Sequence, residues 1–354
     1  MKGLFLVSKH IPILDSARTV AVYTATAASL LAVYAVPAIY FFPTASSETT
    51  FCTSLFSRIG TAFFTVSLSA LFFIGAYCCA ATLHIHNFTY FFQKKGIRIV
   101  LPTFVAFIFL VPLLTVLAHL FDADNELPFF STTFIYSAYA PGPYTFLGVF
   151  LFLLLLSALL KKLSSTFFRH RYNTSFQKVL LTSTFLHVVI TLILICGINI
   201  NLRTVEILTT LIGWSIYYVA GIQAYRARIF ANNTFKPAFA WVVAFIIFLS
   251  LSLTDFAGMY IPVFLTLAAG TGIPAFLYVG SLFSASCGTK RILAQRAYGI
   301  SYTAYIIALT VRSLLTPFDF PLWLSMGLSL FATIAYLRFL DEHLLSRIPS
   351  FKEP

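Results

Sequence analysis

Residues 13–29 read ILDSARTVAVYTATAAS. A carboxylate, Asp15, and a guanidinium, Arg18, stand three positions apart, and beyond Arg18 the charge stops. Positions i and i+3 share a helix face, so the two groups can pair. The apolar residues behind them continue to residue 42, and a helix needs about 20 such residues to cross a bilayer. Charge at the mouth of a membrane helix is costly and marks a candidate functional site. The alternative role is that of an anchor whose charged head stays in water.

The same pattern recurs along the chain. Of 354 residues, 59% are apolar and 10% charged, with a mean hydropathy of +0.91. Soluble domains are about 45–50% apolar and about 25% charged, so this composition belongs in lipid. Ten apolar runs fall near 19–42, 60–83, 99–120, 144–160, 179–198, 205–224, 237–254, 261–284, 297–315 and 321–340. The charged start, with Lys2 and Lys9, leads into a run too long for a signal-peptide core, so the first run is expected to be an uncleaved span.

Basic residues fix the expected orientation. With the N-terminus inside, all of the 23 lysines and arginines except Arg58, Arg203 and Arg312 fall on inner segments. Such a bias sets topology. The expected fold is an all-α polytopic membrane protein of about ten transmembrane helices. Both termini are expected in the cytoplasm, and residues 1–354 form a single membrane domain of an inner or plasma-type membrane. The net charge of +12 then follows from topology. A nucleic-acid partner is not expected, because such a binder gathers its cations on one surface domain.

Five scattered cysteines, Cys52, Cys78, Cys79, Cys196 and Cys287, suit neither a disulfide framework nor a metal cluster. No bound cofactor or metal is expected. Sequons at Asn87, Asn173 and Asn232 fall on the inner side and carry no assignment. The largest outer loop, FDADNELPFFSTTFIYSAYAPGP (121–143), is acidic and aromatic. Hydrolase, nucleotide-loop and zinc-protease patterns are missing.

A second charged cluster is HIHNFTYFFQKKGIRIVLP, residues 84–102. His84 and His86 alternate, Lys94, Lys95 and Arg98 form a cationic patch, and Pro102 is expected in the first turn of the next helix. Cations at a helix start oppose its dipole, a conflict that an anionic ligand would relieve. His119 and His187 lie on apolar runs, where a single histidine is most often hydrogen-bonded packing. Glu206 and Arg312 are outer-half charges able to pair across helices.

Taken in order, these segments resemble the acyltransferase-3 family of membrane acyltransferases, in the branch that contains glucans biosynthesis protein C. ILDSARTVAVY is similar to the family's opening Asp-x-x-Arg motif. FFIGAYCCAATLHIHNFTYFFQKKGIRIVLPTFVAFIFLVPL resembles its second and third spans. GPYTFLGVFLFLLLLSALL resembles its Trp-Phe-Leu span, with Thr145 in place of Trp. IGWSIYYVAGIQAYR, AYGISYTAYIIALTV and LLSRIPSF resemble later segments.

The resemblance implies a ten-helix bundle that passes an acyl group from a cytoplasmic donor, acyl-CoA, to a hydroxyl of an envelope glycan or glycolipid. Asp15, Arg18 and Ser29 would occupy the catalytic positions, and Lys94, Lys95, Arg98, His84 and His86 the donor-binding edge. The family's first-span histidine falls on Ser29, eleven residues and about 16 Å along the helix from Arg18. A second family histidine falls on Ala308, and Lys95 replaces an arginine. Imidazole titrates near neutral pH and serine does not, so the chemistry needs another base or is lost. A degenerate glycan carrier is the alternative. A secondary transporter is a further one, with LAAGTGIP (267–274) as its only candidate helix break.

Overall fold

A computed structural model describes residues 11–33, 51–93, 97–113, 145–168, 174–197, 202–230, 237–283 and 307–340, apart from scattered positions within these ranges. Lys94, Lys95, His119, the 121–143 loop and the three sequon asparagines lie outside the described residues, as do both chain ends. Every regular element among the described residues is helical.

The main helices are α1 (Pro12–Val33), α2 (Phe51–Ile85), α3 (Ile97–Val105, continued by a π-helical turn over Ala106–Leu110), α4 (Thr145–Leu163) and α5 (Phe176–Gly197). They continue as α6 (Leu202–Arg226), α7 (Ala240–Leu253), α8 (Ile261–Phe283) and α9 (Leu322–Leu340). Five segments are long and apolar enough to cross a membrane: Arg58–Ile85, Thr145–Leu163, Phe176–Gly197, Val205–Arg226 and Gly258–Leu282. Each coincides with an expected run. The helices of runs seven and ten are shorter, Ala240–Leu253 and Trp323–Tyr336.

The chain forms two compact units, each assembled from three separate segments. The first comprises Met1–Ala21, Thr65–Ile97 and Val149–Ala294; the second comprises Val22–Phe64, Arg98–Gly148 and Gln295–Pro354.

Within the first unit, contacts fix the direction of each helix. Phe72 stacks on Trp214 at 5.4 Å, and Tyr77 meets Tyr225 edge-on at 5.4 Å, so α2 and α6 run parallel. Ser157 bonds Tyr218, and the turn after α4 puts Phe167 beside Arg226, so α4 is parallel to α6 as well. Phe176 packs on Phe230 while His187 reaches Thr209, so α5 runs the opposite way. Thr184 faces Gly270 and Thr191 meets Thr266, which makes α8 antiparallel to α5. Phe239 lies against Tyr278 and Phe245 against Phe276, which makes α7 antiparallel to α8.

The driving force for this packing is close approach, since lipid offers helices no hydrophobic gain on association. Small residues permit it. A Cβ on Gly221 would overlap the Phe73 carbonyl, and one on Gly280 would lie 2.6 Å from the Ala17 nitrogen. Gly75 takes the Phe150 ring, which a Cβ would meet at 2.7 Å. Phe72, Phe73, Trp214, Tyr217 and Tyr218 fill the interior and are almost wholly buried.

Two expectations change. LAAGTGIP is not a break, because α8 runs unbroken through Pro274, and Gly270 and Gly272 serve as notches for Thr184 and Val66. Pro102 is also not in a first turn, since α3 already starts at Ile97. Without an N–H, Pro102 cannot bond the Arg98 carbonyl one turn back.

In the second unit, Phe64 and Phe146 meet edge-on at 6.1 Å. Gly148 admits the Phe107 ring, which a Cβ would meet at 3.2 Å.

Candidate functional site

The helix directions gather several polar ends of the first unit. α2, α4, α6 and α8 all finish at one end of the bundle, where α5 and α7 start. Ala17 of α1 packs on Gly280 near the end of α8, which brings the start of α1 there too. Asp15 Oδ1 lies 3.4 Å from an Arg18 guanidinium nitrogen, so the two groups form the expected i,i+3 pair. Asp15 also sits in the first turn of α1, where negative charge complements the helix dipole.

At the same end, His84 Nδ1 lies 2.7 Å from the Tyr225 hydroxyl, and the rings meet edge-on. His84 is the last basic residue of α2. Tyr225 belongs to the final turn of α6, 141 positions later. Tyr77 packs against both Tyr225 and Phe230, at 5.4 and 5.2 Å.

Phe230 reaches this cluster through a tight reversal. Ile229 N–H bonds the Ala224 carbonyl at 3.2 Å, and Arg228 N–H bonds the Tyr225 carbonyl at 3.0 Å. These are the paired bonds of a Schellman cap. Its left-handed position, usually glycine, is Arg228, with φ +56°. It is the only non-glycine residue with positive φ among the described residues. A non-glycine residue in this conformation costs about 1–2 kcal/mol, so strain is stored one turn from the His84–Tyr225 pair.

The other expected site residues separate as follows. His86 stacks on Tyr90, with ring centroids 4.0 Å apart. Arg98 lies in the first turn of α3, and its side chain is outside the described residues. Ser29 is 8% exposed, and its hydroxyl donates to the Ala25 carbonyl at 2.8 Å, a bond within its own helix. Ala308, at the second family histidine position, is fully buried.

A second polar cluster lies inside the bundle, around His187. Its Nε2 is 2.9 Å from the Thr209 carbonyl, and its Nδ1 is 3.3 Å from the Tyr217 hydroxyl. A carbonyl only accepts, so Nε2 carries the proton and donates. The Tyr217 hydroxyl also lies 3.4 Å from the Thr266 carbonyl, and Thr266 meets Thr191 at 3.2 Å. Gly213 leaves the space that the His187 ring occupies. With both nitrogens partnered, His187 acts as a fastener between α5 and α6, as the sequence reading favoured.

Sequence reasoning missed Tyr225, Tyr77 and Arg228. Tyrosines are common in this chain, and nothing local marks the one that meets a histidine 141 positions away.

No family model, no curated protein and no solved structure matches this chain.

Proposed function

We propose that the chain is a multi-pass acyltransferase-like protein of the inner or plasma-type membrane, with ten spans and both termini in the cytoplasm. It would move an acyl group from acyl-CoA to a hydroxyl of an envelope glycan or glycolipid. The observation that carries this reading is the His84–Tyr225 hydrogen bond at the bundle end that also holds the Asp15–Arg18 pair. It offers an oriented imidazole where the resemblance expects the donor, in place of the histidine missing at Ser29.

The step then runs as follows. In the tautomer that carries its proton on Nδ1, His84 donates to the Tyr225 oxygen, and the basic lone pair is on Nε2. Nε2 takes the proton of the acceptor hydroxyl as its oxygen attacks the thioester carbonyl. The C–O bond forms, the C–S bond breaks, and the imidazolium returns the proton to the departing CoA thiolate. Arg18, Lys94 and Lys95 would supply positive charge for the CoA phosphates, with His86 as a further donor-binding residue.

A second reading is favoured by Ser29 and Ala308, whose small buried side chains stand where the resembled family has imidazoles. It makes the chain a glycan carrier without transfer activity. Photolabelling with an acyl-CoA analogue separates the two. The enzyme reading expects saturable labelling of the 84–98 segment, competed by acyl-CoA and reduced in Arg18→Ala. Absence of donor-dependent labelling sinks it.

A further inference from the structure

The lateral face between α4 and α6 carries a crevice that the proposed acyl transfer does not use. Its cavity volume is about 190 Å³. Leu153, Leu156, Val219 and Ile222 form its walls, and the buried Ser157–Tyr218 hydrogen bond, 3.1 Å long, forms its floor. At the end nearest the C-termini of both helices it closes on Gln223, Arg226 and Phe167. The Arg226 guanidinium carbon stands 5.7 Å from the Phe167 ring centroid, a cation–π distance.

The chemistry of the crevice is graded along its length. Its walls are hydrocarbon, and the only formal charge among the described residues that line it is positive and sits at one end. Lys161 and Lys162 add two cations in the last turn of α4, level with that end. Its long side opens onto an apolar surface, with Leu155, Leu156, Leu159 and Val219 exposed. In a bilayer that surface faces acyl chains. On the floor the Ser157 hydroxyl donates to the Tyr218 oxygen, so the occupant needs no polar group to meet Ser157.

We propose that this crevice binds one acyl chain of an anionic phospholipid, with the headgroup phosphate held at Arg226. The order of features matches such a molecule: chain in the leucine-walled slot, phosphate at the guanidinium where α4 and α6 end. Basic pockets between membrane helices hold anionic headgroups in this way. Planar guanidinium suits a phosphate by paired hydrogen bonds. The site is independent of the proposed transfer chemistry and stands or falls separately.

The test is native mass spectrometry of the full chain, purified from bilayers of equal parts phosphatidylglycerol and phosphatidylcholine. The expected result is phosphatidylglycerol retained at least fivefold over phosphatidylcholine. That preference is lost in Arg226→Gln, and retention of both lipids falls in Val219→Trp, which fills the slot from an exposed position. Glycerol phosphate in millimolar excess leaves the bound lipid in place. Equal retention of the two lipids overturns the proposal, as does unchanged retention in Val219→Trp. Displacement by glycerol phosphate alone also overturns it, because it reduces the site to a simple anion contact. Should Arg226→Gln fail to fold, Val219→Trp and the competition decide the matter.

Discussion

His84 Nδ1 and the Tyr225 hydroxyl are 2.7 Å apart, a bond that ties the end of α2 to the end of α6. If this bond orients a base, its loss costs activity more than stability. Tyr225→Phe keeps the ring packing with Tyr77 and removes one hydrogen bond worth about 1 kcal/mol. The expected outcome is a five- to tenfold fall in acyl transfer with little change in thermal unfolding. His84→Ala should lower transfer by about 10²–10⁴, the usual share of a general base.

Arg18 and Asp15 form a pair whose side chains are 39% and 30% exposed. An ion pair this open contributes at most about 1 kcal/mol to stability. Arg18→Ala is therefore expected to unfold within a few degrees of the native protein while losing donor labelling. An unfolding shift as large as that of a core mutant would mean that Arg18 is structural.

The Ser29 hydroxyl is engaged by the Ala25 carbonyl inside α1. Ser29→Ala removes that local bond and creates almost no cavity. Transfer activity measured per folded molecule should stay within twofold of native. A loss of tenfold or more would return Ser29 to the chemistry.

Arg228 holds a left-handed backbone at φ +56° in the cap of α6. Arg228→Gly relieves that strain and is expected to raise stability by about 1 kcal/mol, read by chemical or thermal unfolding in detergent. A neutral or destabilising result would show that the arginine side chain outweighs its backbone cost.

Gly221 and Gly327 make opposite predictions. A Cβ on Gly221 meets the Phe73 carbonyl, which cannot move without shifting α2. Gly221→Ala should cost about 1–3 kcal/mol by overpacking. Gly327, inside α9, has open space around it, so Gly327→Ala should stabilise by about 0.5–1 kcal/mol through helix propensity. Unfolding midpoints of the two variants check both signs.

Five of the ten expected runs return as helices long and apolar enough to cross a membrane, because hydropathy over 20 residues is a local property. Runs near 60–83 and 205–224 reappear within Arg58–Ile85 and Val205–Arg226, and the run near 179–198 overlaps Phe176–Gly197. The Asp15–Arg18 pair was legible for the same reason, being a contact within one helical turn. Three features were not. The LAAGTGIP stretch looked like a break, yet its glycines are notches, a distinction that depends on which helix lies opposite. Tyr225 gained its role from a partner on another helix. The crevice depends on Ser157 meeting Tyr218 across 61 positions, and no sequence period encodes that pairing. For His187 the sequence favoured hydrogen-bonded packing, and its partners Thr209 and Tyr217 became visible only in three dimensions.

The most direct measurement is transfer of radiolabelled acyl groups from acyl-CoA to envelope glycans in membranes carrying native protein, His84→Ala or Ser29→Ala. The account predicts transfer by the native protein and by Ser29→Ala, and at least a hundredfold loss in His84→Ala. Equal transfer by the native protein and His84→Ala, or no transfer by any of the three, would contradict it.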